Sequence, residues 1–199
     1  MTKYLIGVDH ANQEELDSLI LELDGLKPIS AGLELPINYQ EQKLMGVIYA
    51  FFTPLEEYLA SEDVHVSLLD NDKLKHEYGA VKTAKLSLQG RIPRKDLEQS
   101  LFVAKTFLEQ NTTYMPPEFT RRFERDAAFY QRVLQILDDR LSIEEIQALI
   151  NTANKNREQF MLERILQEQP QTVIIGDAHA ETLKGELPDY KYLCRSKLK

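Results

Sequence analysis

Apolar and polar residues follow one another along this chain in two rhythms, and each change of rhythm marks an element. Residues 4–8 form a short apolar run that stops at Asp9 and His10. Leu16, Leu19, Ile20 and Leu23 then recur at three- and four-residue intervals, which predicts a helix over 14–26 with Gly25 placed to end it. A second apolar run over 29–35 follows Pro28, carries Glu34 near its end and closes at Pro36. Residues 47–60 read as a second helix, and 64–69 as a third strand that ends at Asp70. Strand, helix, strand, helix, strand is the order of βαβ units and of a parallel sheet.

The middle of the chain keeps to one rhythm. Residues 94–168 read as three helices, the first over 95–110. Pro116 and Pro117 can seat the second, whose apolar face is Phe119, Phe123, Tyr130, Leu134 and Leu137. Ser142 and Glu145 form a capping box for the third. Residues 71–93 show no clear period and read as a loop with a short strand around 86–88. The opening pattern then returns: a buried strand over 172–175 runs into Gly176-Asp177-Ala178-His179, followed by a helix over 181–187 and an edge strand over 190–194. The expectation is a single α/β domain over 1–199, with a mainly parallel central sheet, flanking helices and a mainly helical segment over 94–168.

Charge and composition narrow the partners. The net charge of -8 repels phosphate backbones, and the best basic patches (Arg121, Arg122 and Arg125, and the tail 195–199) are interrupted by acids or too short to form a groove. No nucleic-acid partner is expected. The chain carries one cysteine, Cys194, so a disulfide within it is excluded; this fits a reducing compartment, and a cytoplasmic location is expected. Cys194 itself reads as a small apolar residue in a late strand. The N-terminal residues lack the apolar run of a signal peptide, and no segment reaches the ~20 apolar residues of a membrane span.

Candidate chemistry gathers where the apolar strands stop. His10, Glu34, Asp70 and His179 each follow or close a strand, and in an open parallel sheet the carboxyl ends of the strands are where ligands bind. Two histidines and two carboxylates can hold a divalent metal ion, or can act as an acid–base set without one. The histidines lie in two Gly-x-x-His motifs, Gly7-Val8-Asp9-His10 and Gly176-Asp177-Ala178-His179, each between a strand and a helix. Chance predicts well under one such match in a chain with 8 glycines and 4 histidines. The glycines are expected to let the chain turn tightly and to bring backbone N–H groups near a ligand. Glu34, flanked by leucines, needs a partner if buried, whereas Asp70, Asp9 and Asp177 are equally readable as turn residues. Arg157 falls in the apolar stripe Ile143, Ile146, Ile150, Ala153, Arg157, Phe160, Arg164, from which it can bind a substrate carboxylate, hold Glu34, or snorkel at the rim. His65 reads as a strand residue and His76 as a solvated one.

The first motif, the helix after it, and Leu26-Lys27-Pro28 with Gly32-Leu33-Glu34-Leu35 resemble the opening of TraB/PrgY-type proteins. These belong to a wider superfamily with the Tiki proteases, erythromycin esterases and ChaN-like haem-binding proteins, marked by two Gly-x-x-His motifs, an early glutamate and a later arginine. Asn156-Arg157-Glu158-Gln159-Phe160-Met161 resembles the arginine-bearing helix, and Thr172 to His179, with Leu183, the closing strand and turn. The similarity covers the two ends of the chain well and the middle poorly. It implies a Tiki/TraB-like α/β fold with His10, Glu34, Arg157 and His179 as functional residues. It does not imply one activity: Tiki proteins resemble metal-dependent peptidases, erythromycin esterases are hydrolases argued to use histidine and glutamate without a metal, and TraB/PrgY proteins are linked to peptide pheromone signalling. The chain departs from the pattern at Asp9 and Asp177, where small or neutral residues are usual, and the added negative charge favours a cation in the site.

A hydrolase of small peptides or esters is therefore expected. In it His10, Glu34 and His179, with Asp70, hold a divalent ion (Mn, Co or Zn) or activate water directly, and Arg157 orients the substrate. Whether the chain is an enzyme at all stays open beside two other readings. One is a signalling or sequestering protein that uses the same cleft for a peptide or cofactor without turnover. The other is an interaction protein whose helical middle is the working surface and whose sheet edge is vestigial, which requires an exposed apolar patch over 119–141; under any of these readings a homo-oligomer can form.

Overall fold

Consecutive residues of a strand point to opposite faces of its sheet, so a strand buried on both faces is apolar without a break. Such runs recur at 4–8, 31–33 and 173–175, and a computed structural model of the chain, describing residues 2–44, 49–111 and 116–194, forms a sheet from them. The elements in chain order are β1 (Lys3–Val8), α1 (Gln13–Leu26), β2 (Ser30–Pro36), α2 (Tyr39–Leu44), α3 (Phe52–Ser61) and β3 (His65–Asp70). There follow α4 (Asp72–Leu88), α5 (Arg94–Asn111), α6 (Pro117–Asp138), α7 (Ile143–Glu168), β4 (Thr172–Gly176), α8 (Asp177–Leu183) and β5 (Tyr190–Cys194). All strand pairings are parallel and the order is β3-β2-β4-β1-β5, so the fold is α/β. No helix among the described residues is long and apolar enough to cross a membrane.

The chain divides into two compact units. The first, residues 1–39, 47–71 and 157–199, holds the sheet. On one face Ile6, Val8, Leu33 and Ile174 pack against Leu16, Leu19 and Leu23 of α1 and Leu55 and Leu59 of α3. On the other Leu5, Val173 and Ile175 meet Met161 and Ile165 of α7 and Ala180 and Leu183 of α8. Each such leucine or isoleucine, fully buried, is worth about 1.5–3 kcal/mol of transfer free energy. The second unit, residues 40–46 and 72–156, is helical, with its core at Ala80, Val81 and Ala84 of α4, Leu97 of α5, Val133 and Ile136 of α6 and Ile146 of α7.

Several expectations need correcting. Residues 71–93 are not a loop with a strand at 86–88 but mostly the helix α4, whose buried face is small residues and so leaves no period of large ones to read. The helical stretch is therefore longer than 94–168, and α7 lends only its residues before Arg157 to the helical unit. The helix expected at 181–187 starts earlier, at Asp177, which puts His179 inside α8 rather than in a turn. Of the helix expected at 47–60, α3 begins at Phe52, and residues 47 and 48 lie outside the described residues, as does the basic tail 195–199. Helix α1 ends at Leu26 as read, but Lys27 rather than Gly25 stops it: Lys27 adopts a left-handed backbone (φ 45°) and its N–H caps Leu23 O. The capping box forms as read, with Ser142 N–H donating to Glu145 Oε2 at 2.8 Å and Glu145 N–H to Ser142 Oγ at 3.1 Å. Over 119–141, Phe119 is the one exposed large apolar side chain among the described residues.

Lys27 holds a conformation that glycine adopts freely and other L-residues at a cost. Lys27→Gly is expected to stabilise the chain by about 0.5–1 kcal/mol, seen as a higher urea midpoint at unchanged m-value.

Candidate active site

The loop after β1 is held by its own polar groups. Asp9 O accepts from Asn12 N–H at 3.0 Å, Asp9 Oδ1 from Ala11 N–H at 3.1 Å, and Asp9 N–H donates to Glu15 Oε1, reaching back from the first turn of α1, at 3.0 Å. Asn12 caps α1 through Glu14 N–H. At the tip of this loop sits His10, its side chain 41% exposed, with its ring edge-on to Phe52 at 5.2 Å between centroids. Its Nε2 lies 3.6 Å from Glu34 Oε2.

The glycines of the two motifs serve each other. Strands β1 and β4 are paired neighbours with Val8 opposite Gly176. A methyl group on Gly176 would overlap His10 Nε2 and crowd Glu34 Oε2, and one on Gly7 would overlap Asp177 Oδ1. Each motif thus keeps its glycine clear for a side chain of the other. Neither glycine has a positive φ, and Gly176 (φ -56°, ψ 142°) uses backbone any residue adopts. Space is what the position demands, not a special turn, which corrects the expected role. The Gly176 N–H is also not held out for a ligand: it donates to Glu34 Oε2 at 2.7 Å.

Arg157 ties the strand ends together. Its side chain is 5% exposed, and Asp70 beside it is fully buried. The guanidinium grips Asp70 with two nitrogens, Nη2 to Oδ2 at 2.6 Å and Nε to Oδ1 at 3.3 Å. Nη2 also donates to Glu34 Oε1 at 3.1 Å, and Nη1 points at His179 Nε2, 3.4 Å away. Of the roles open to Arg157, the geometry takes the one that holds Glu34. Burial acts to raise the Glu34 carboxyl, but the facing His179, His10 and Arg157 and the Gly176 N–H together outweigh it and hold the group below its ordinary range. Burial likewise works against the Arg157 charge, and its bonds to Asp70 and Glu34 overcome that and raise it.

Glu158 is a site residue that the pattern reading left out. Its Oε1 is 3.1 Å from His179 Nδ1, and both residues are buried. With Arg157 donating at Nε2, the imidazole proton belongs on Nδ1, directed at Glu158. Neighbours on a helix stand about 100° apart, so a broad buried face takes in both 157 and 158. That face continues through Met161 and Ile165, not through Phe160 and Arg164 as expected; Phe160 is half-buried and Arg164 pairs with Glu168. Buried Met161 and Ile165, three and seven residues on, were the available signal.

Residues 8–11, from the first motif and the loop after it, and the second motif, 176–179, line an open cleft of about 640 Å³ at the carboxyl ends of β1 and β4. His10, Glu34, Asp70, Arg157 and His179 all come together beneath or beside it. His65 stands apart, exposed at the start of edge strand β3. His76 is not solvated as expected: in the helical unit it is half-buried, with Nε2 3.1 Å from Arg125 O and its ring edge-on to Phe129. Cys194 is half-buried at the end of β5, its thiol donating to Asp177 Oδ1 at 3.5 Å.

As a metal centre the set is compromised by its own arginine. His10 Nε2 and His179 Nε2 each stand 3.6 Å from a Glu34 oxygen, a spacing close to that of ligands on one ion. Yet Glu34 Oε1 and both Asp70 oxygens are bonded to Arg157, whose charge would face any ion placed there. Asp70 in particular serves the guanidinium rather than an ion. Among the described residues no three His, Cys, Asp or Glu side chains are grouped to hold a metal. Comparison with protein-family models, with curated proteins and with solved structures finds no match to this chain.

Removing Arg157 would strand two buried carboxylates. Arg157→Met is expected to cost about 3–5 kcal/mol in urea unfolding at neutral pH, and Arg157→Lys less, since a lysine keeps the charge but not the two-nitrogen grip. A depressed carboxyl stabilises the fold above its unfolded value, about pH 4.3 for glutamate, and that contribution is lost as pH falls through the lower folded value. Glu34→Gln should accordingly flatten the acid limb of the stability profile. Gly176→Ala should leave the melting temperature near wild type, because exposed His10 can swing aside, while displacing the His10 ring resonances in an NMR spectrum.

Proposed function

We propose that this chain is a hydrolase of peptide or ester bonds, of the Tiki, TraB and erythromycin esterase kind, with His10 as its general base. The observation that carries this is one buried, ionised carboxylate, Glu34, flanked by two imidazoles at the edge of an open cleft where the strands end. A carboxylate kept charged next to an imidazole favours the imidazolium that forms when that ring takes a proton. His10 is the more exposed of the two and stands at the cleft mouth, so water can reach it.

In the proposed reaction a water oxygen bonds to the substrate carbonyl carbon while His10 takes the water proton. Glu34 stabilises the resulting imidazolium. The tetrahedral intermediate then expels its amine or alkoxide, which takes the proton from His10 as the C–N or C–O bond breaks. Arg157 is too deeply buried to meet substrate and works by holding Glu34 and Asp70 in place. Glu158 fixes the orientation and tautomer of His179. Arg157 already supplies the positive charge among these donors, which favours the route without a metal ion.

The test is turnover of p-nitrophenyl esters and amino-acyl p-nitroanilides by metal-stripped protein in chelator, and again with Mn²⁺, Co²⁺ or Zn²⁺ added. Cleavage in chelator is expected, falling about 10²–10⁴-fold in His10→Ala and in Glu34→Gln. Glu34, held below its ordinary range, is ionised across neutral pH and should add no rise of its own to the pH–rate profile. Cleavage only with added metal would replace this route by a metal-assisted one. No cleavage in either condition would leave a binding protein that uses the same cleft.

A further inference from the structure

Two carboxylates, Asp9 and Asp177, stand among the described residues that line the cleft. His10 and His179 are the other titratable side chains among those residues, which include no lysine or arginine. The nearby cation, Arg157, is buried beneath and bonded to Glu34 and Asp70. Both aspartates are fixed in place by one oxygen only. Asp9 Oδ1 accepts from Ala11 N–H, and Asp177 Oδ1 rests over Gly7 and accepts from the Cys194 thiol. The second oxygen of each accepts from no described residue. Asp9 is exposed and Asp177 half-buried, so both can meet a ligand.

We infer, resting on the hydrolase reading above, that the substrate carries a positive charge, an ammonium or guanidinium group, close to the bond that is cut. Among the described residues an anion entering the cleft would meet two fixed carboxylates, whereas a substrate cation would pair with one or both. Each aspartate has one oxygen to offer such a group.

Three small amides separate the charge from everything else: L-alaninamide, its N-acetyl derivative and its N-succinyl derivative place an ammonium, a neutral group and a carboxylate at one position. Binding is read from the His10 and His179 ring resonances in an NMR titration at low salt. Alaninamide is expected to bind about five- to tenfold more tightly than the acetyl compound, as for one or two partly exposed ion pairs, and the succinyl compound least. The preference should shrink at high salt. It should vanish in Asp9→Asn/Asp177→Asn, whose amide oxygens keep the Ala11 bond and the fit over Gly7. Equal or reversed affinities, no response to alaninamide, or a preference that survives the double substitution would each overturn the proposal. Cleavage of the matching p-nitroanilides is scored separately. Charge preference without cleavage counts against the hydrolase alone, and cleavage without charge preference counts against the substrate charge alone.

Discussion

A guanidinium taken out of water is the constraint from which the site follows. Arg157 can remain charged in the interior only if its donors are met, and Asp70, Glu34 and His179 meet them from three separate elements. The same bonds fix the ends of β2 and β3 against α7 and α8, so the charge network is also a brace. Because Arg157 and Asp70 pair through two nitrogens, Glu34 keeps one oxygen for the Gly176 N–H and a face for His10. The carboxylate is held ionised without being used up.

The second dependency is one of space. Strand order places β4 between β1 and β2, which sets the two Gly-x-x-His motifs side by side although they are separated by most of the chain. Their glycines leave room for His10 and Asp177 in a reciprocal fit, each missing side chain answered by a side chain from the neighbouring strand. A motif of this kind is therefore half of a contact and has meaning only with its partner present.

The alternating strands and helices of the first third, the capped third helix of the middle and the closing strand were legible because large apolar residues mark their periods. Helix α4 was not, because Ala80, Val81 and Ala84 are small and carry little contrast with their neighbours. The five polar residues chosen at strand ends and on the α7 stripe do meet at one place in the structure. What pattern could not reveal was their division of labour: Asp70 serves Arg157, Arg157 serves Glu34, and Glu158 holds His179 from the position next to the arginine. Pairing across long sequence separations leaves no local trace, and a charged residue beside a predicted core position reads as solvated until the width of the buried face is known.

The insertion of β4 between two strands made at the start of the chain also has a consequence for synthesis. A chain leaving the ribosome presents β1 and β2 long before β4 exists, and in the finished sheet those two strands are not paired with each other. Until β4 emerges, the nascent chain exposes two unsatisfied apolar edges, and Glu34 lacks the Gly176 N–H that shares its load with Arg157. The β2–β3 pair can form early, but β1 joins it only through β4, so the sheet closes late and a chain halted before β4 would be left sticky.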